Sequence, residues 1–68
     1  MTAVFEFRNG SIVKRRLELD GVAEFKRYVA KAVAWTRKAT DRSAYVYAYP
    51  GYKSRSVEKM LADLSVPF

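Results

Sequence analysis

The side chains of this chain with most to offer chemically are aromatic and cationic. Residues 44–49 read Ala-Tyr-Val-Tyr-Ala-Tyr, an unbroken alternation. In an extended segment it sets Tyr45, Tyr47 and Tyr49 on one face and Ala44, Val46 and Ala48 on the other. Rings interleaved with Arg and Lys on an exposed sheet suit stacking on nucleobases while neutralising phosphates. The cations available for this are Arg8, Lys14 and Arg16, which the strand pattern offers, and Lys53 and Arg55 in the loop after the tyrosine row.

A second candidate follows the row. Pro50-Gly51-Tyr52-Lys53-Ser54-Arg55-Ser56 feeds a helix N-terminus. Free backbone N–H groups there, beside Gly51 and the Ser54 and Ser56 hydroxyls, would suit an anion. The segment has one Gly and lacks the phosphate-loop pattern of two glycines followed by Lys-Ser/Thr. A simple N-cap by Ser54 or Ser56 accounts for the same residues.

Catalysis has a poor inventory. The chain has no His and no Cys, which removes the commonest general base and the best free nucleophile. The same absence excludes disulfides and leaves no ordinary zinc ligand set. Glu18 and Asp20 stand near Arg15 and Arg16 and read as charge balance or a cap. Lys53 beside Ser54 in a loop does not make a triad. The expectation is a binding protein rather than an enzyme, with no metal and no cofactor.

The net charge of +6 is unevenly placed. Residues 1–25 hold four basic and four acidic side chains, residues 26–55 hold eight basic against Asp41 alone, and residues 56–68 hold Lys59, Glu58 and Asp63. A basic stretch on a small domain is the usual footprint of a polyanion partner. Helix cations such as Arg27, Lys31 and Lys38 are equally well explained as a solvated face.

The elements that must position these groups follow from periodicity. Ala3, Phe5 and Phe7 alternate with Val4, Glu6 and Arg8, a strand over residues 2–8. Asn9-Gly10 signals a hairpin, and residues 11–19 read as its second strand. A two-residue turn would put Lys14 and Arg16 on the Phe face. A three-residue loop Arg8-Asn9-Gly10 pairs Phe7 with Ser11 and Phe5 with Val13, which gathers Ala3, Phe5, Phe7, Val13 and Leu17 on one face. Glu6, Arg8, Lys14 and Arg16 then share the other with Val4 and Ile12, so this register is favoured. Asp20 is the expected N-cap of a helix over Val22–Thr40, with an apolar stripe of Val22, Phe25, Val29, Ala32, Val33 and Thr36. Tyr28 and Trp35 flank that stripe. The tyrosine strand ends at Pro50-Gly51, and a shorter helix over Ser56–Leu64 carries Val57, Met60, Leu61 and Leu64.

The fold class expected is α+β: a small two-layer ββαβα domain spanning residues 1–68. Its three-stranded, mainly antiparallel sheet has order 2-1-3, one long helix packs across it, and a short helix follows. Three placements of the tyrosine row remain open: on the exposed face, inward against the helix, or buried in a homodimer. The leading functional expectation is a nucleic-acid-binding protein, for DNA or RNA. The alternative is a non-catalytic inhibitor or adaptor that binds an acidic protein surface. No window approaches the roughly 18 apolar residues of a membrane span, and Glu6 interrupts the N-terminal apolar run that a secretory leader needs. A cytoplasmic protein without membrane contact is expected.

Overall fold

The computed structural model describes residues 1–48 and 54–65. The elements in chain order are β1 (Thr2–Arg8), β2 (Ile12–Glu18), α1 (Val22–Arg37), β3 (Ser43–Ala48), β4 (Arg55–Ser56) and α2 (Val57–Ser65). The class is α+β, as the alternating and helical periodicities require. The sheet is antiparallel throughout its described pairs, but it has four strands in the order β2-β1-β3-β4 rather than three. The added strand β4 is two residues long, with Tyr45 opposite Ser56 and Val46 opposite Arg55. Two residues are too few to show a period, so the sequence reads there only as the approach to α2.

The hairpin pairs Arg8 with Ile12, Phe7 with Val13 and Phe5 with Arg15. The loop is therefore Asn9-Gly10-Ser11, and the expected pairing of Phe7 with Ser11 is corrected by two residues. A slip of two preserves every side chain's face, which is why the segregation of faces survives the correction. Gly10 takes the left-handed conformation that turns the chain, with φ +95°; a side chain disfavours this region.

Helix α1 starts where expected, but its N-cap is Gly21 and no side chain caps it. Instead the Glu24 carboxylate reaches back and accepts a bond from the Asp20 backbone N–H at 2.7 Å. This is the returning half of a capping box, one residue displaced. The helix ends at Arg37, three residues before the expected Thr40. Its buried side chains are Phe25, Val29, Ala32 and Val33. Val22, assigned to the stripe, is 47% exposed, since the first turn overhangs the core.

The core lies between the sheet and the two helices. Ala3 and Phe5 of β1, Ala44 and Val46 of β3, the α1 stripe, and Val57, Met60 and Leu64 of α2 form one buried cluster. Phe5 sits at its centre, with ring centroids 4.8 Å from Tyr28 and 6.1 Å from both Phe7 and Phe25. Trp35 meets Phe7 edge-on at 5.4 Å. The Tyr28–Trp35 flank therefore packs on β1, while α2 lies beside α1, where Arg37 and Glu58 pair at 2.9 Å. None of the described helices is long and apolar enough to cross a membrane.

Candidate functional site

Small residues on β3 decide which way the tyrosines point. Ala44 and Val46 are buried beneath the helices, so Tyr45 and Tyr47 stand on the opposite, open face. The inward placement against the helix does not hold for these two rings, which face outward from the single chain. Tyr47 is 48% exposed and Tyr45 is half-buried. Tyr49, Gly51 and Lys53 lie outside the described residues.

The β1–β3 register shifts between Val4 and Phe5: Phe5 pairs with Val46 and Val4 with Ala48. Tyr47 is the extra residue in that interval. A bulge of this kind bends the strand and re-aims the side chain that it carries. Lys14 Nζ lies 4.2 Å from the Tyr47 ring centroid, and the Arg8 guanidinium lies 4.9 Å from that of Tyr45. Lys14 belongs to β2 and Tyr47 to β3, so the lysine stem crosses β1. Each such cation–ring contact contributes about 0.5–1 kcal/mol at an exposed site.

Glu6 lies under these groups. It sits on the open face in the middle of β1, opposite Lys14 and Tyr45, yet it is only 4% exposed. Arg8 Nε and Nη2 both donate to its Oε1, each at 3.1 Å. The open face is therefore a covered carboxylate beneath two cation–ring pairs, with Arg16 on the neighbouring strand. The alternation of β1 marks Glu6 as polar but carries no sign of its burial, because the groups that close over it come from Arg8 and two other strands.

Arg8, Lys14, Arg16, Tyr45 and Tyr47 are thus brought to one face. Arg55 is not. It pairs with Val46 on the helix side of the sheet and forms an ion pair with Asp63 of α2. Ser54 is exposed. The Ser56 hydroxyl accepts a bond from the Lys59 N–H at 3.3 Å, the geometry of an N-cap on α2. The cationic stretch 26–55 also does not supply the open-face cations, which come from the electrically balanced stretch 1–25. Its acids are occupied or distant: Glu6 is covered, Glu18 accepts a bond from the Thr2 hydroxyl, and Glu24 accepts one from the Asp20 backbone N–H.

Comparison with family models, with curated proteins and with solved structures found no match.

Proposed function

We infer that this is a small non-catalytic protein that binds single-stranded nucleic acid, DNA or RNA, across the open face of its sheet. The observation that carries the reading is Tyr47: a half-exposed ring on a bulge, with an ammonium group against it and Arg8, Arg16 and Tyr45 on the same face. A base stacks on such a ring from the solvent side while the lysine contacts the adjacent phosphate. An open sheet presents no protruding helix for a duplex groove, which favours the single strand.

Lys14 and Arg16, with Arg8 as a partial third, imply two or three neutralised phosphates and a log–log salt slope of about −1.4 to −2 on a single strand. The test is titration of labelled single-stranded DNA and RNA, and of duplex, at two salt concentrations. Tyr47→Ala is expected to weaken single-strand binding by about 1–3 kcal/mol, with the far-ultraviolet circular dichroism unchanged. Absence of binding to every oligonucleotide at about 50 mM salt, where phosphate contacts are strong, refutes the proposal.

The competing reading, an adaptor or inhibitor that engages an acidic protein surface, would use the same tyrosine face as the centre of its interface. A homodimer through the tyrosine face is disfavoured, because it would set Lys14 and Arg16 against their own copies.

A further inference from the structure

The two faces of β2 meet different neighbours. Val13, Arg15 and Leu17 share the helix side with Phe7, Phe5 and Ala3, but α1 sits over β1 and β3 and leaves β2 largely uncovered. Val13, on that side, is 48% exposed. Between β2 and α1 runs an open groove of about 370 Å³, floored by Phe7, Val13, Tyr28, Ala32 and Trp35, with Arg15 and Lys31 among its lining residues. Among the described residues, β2 is also an edge of the sheet, so alternate N–H and C=O groups along its seven residues point away from β1.

An edge bearing Lys14-Arg15-Arg16 is guarded against its own kind. In a two-fold antiparallel pairing centred on Arg15, β2 would set Arg15 against Arg15 and Lys14 against Arg16, and like charges directly opposite are destabilising. Guarding alone does not need an apolar, aromatic-floored groove beneath the strand. Among the described residues, neither Arg15, Arg16 nor Lys31 has a carboxylate within ion-pair reach.

We propose that this edge and groove bind an extended acidic segment of another protein, added as a fifth strand beside β2. Backbone bonds along β2 supply affinity, and alternate side chains supply specificity. Apolar side chains on the helix side enter the groove against Phe7, Val13 and Trp35. An acidic side chain on that same side, opposite Arg15, meets Arg15 and Lys31 at the lining. The site is separate from the open face: it reads Trp35 and the helix side of β2, so its failure leaves the nucleic-acid reading standing, and the reverse.

Trp35 is the only tryptophan in the chain and lines the groove, so its emission is a local reporter. The probe is a capped seven-residue peptide, Thr-Val-Thr-Glu-Thr-Val-Thr, whose two valines and one glutamate share a face in an extended strand, titrated into the full chain. A saturable one-to-one change in Trp35 emission is expected, with slowed amide exchange along Ile12–Glu18. Arg15→Glu, at an exposed position, is expected to weaken binding about tenfold, equivalent to 1.4 kcal/mol, with circular dichroism unchanged. The same peptide with lysine for glutamate is expected not to bind. No saturable change at millimolar peptide, or equal binding of the lysine peptide, overturns the proposal. So does a Trp35 signal that follows protein concentration alone, with a dimer in sedimentation, since the occupant is then a second copy. Displacement of the peptide by a single-stranded oligonucleotide at the groove overturns it as well.

Discussion

Glu6→Gln separates the two roles of the covered carboxylate. The substitution keeps the side chain's shape and an oxygen for Arg8, but it removes the charge. A hydrogen bond to a charged group contributes about 1.5–3 kcal/mol and a neutral one about 0.5–1.5 kcal/mol. Relief of the desolvation of a buried carboxylate works in the opposite direction. Arg8 is half-exposed, so water recovers part of its loss. A net destabilisation of about 1 kcal/mol is expected, a fall in Tm of about 4–8 °C for a domain of this size. The functional effect runs the other way. Arg8 is released towards phosphate and the face loses one negative charge, so single-strand binding tightens and its log–log salt slope steepens by about 0.7. Thermal unfolding and fluorescence anisotropy at two salt concentrations read both effects. Glu18→Gln is the control: it removes the same charge from the same face at an exposed position. A rise in Tm would refute the energetic argument. A fall in Tm with an unchanged salt slope would show that the released Arg8 meets no phosphate.

Three further outcomes are expected. Phe5→Ala empties the centre of the core and should cost about 3–5 kcal/mol, enough for urea denaturation to show little or no folded baseline. Gly10→Ala meets no atom within 4 Å, so its cost of about 1 kcal/mol is backbone strain alone and appears as a lower urea midpoint with an unchanged m-value. Ser56→Ala should cost about 1 kcal/mol by loss of the α2 cap, and Ser56→Gly only a few tenths; a Ser56→Ala midpoint equal to that of the unsubstituted chain would show that the hydroxyl does not cap.

Periodicity made β1, β3 and the buried stripe of α1 legible, because each has one face against the core and one against water. It also grouped Arg8, Lys14 and Arg16 on one face and Tyr45 with Tyr47 on one face, since grouping depends only on whether positions are odd or even, but it left open which face of the sheet the tyrosines take. The same property hid the hairpin register: loops ending at Gly10 and at Ser11 place every side chain on the same face, and only backbone pairing tells them apart. The direction of Arg55 is not legible, because its partner Asp63 lies eight residues on, along α2, and because a two-residue strand fixes where it points. The burial of Glu6 is a product of three strands meeting and has no counterpart along β1. The early end of α1 is set locally, where the Lys38 N–H turns back to the Trp35 carbonyl at 3.3 Å, and no Gly or Pro marks it.

The strand order has a consequence in time. β1 is central: its pairing with β2 closes through a three-residue loop, whereas Arg8 finds Ser43 and Val4 finds Ala48 only after the whole of α1. The first ladder is local and quick to close, and the second must wait for a long loop to be gathered. During synthesis the hairpin therefore emerges with Phe5 and Phe7 bare, since Phe25, Tyr28, Trp35 and Val46, which cover or flank them, are all made later. The cationic run on β2, seen in the finished fold as an edge, is during that interval the charge that keeps an apolar hairpin from pairing with its neighbours.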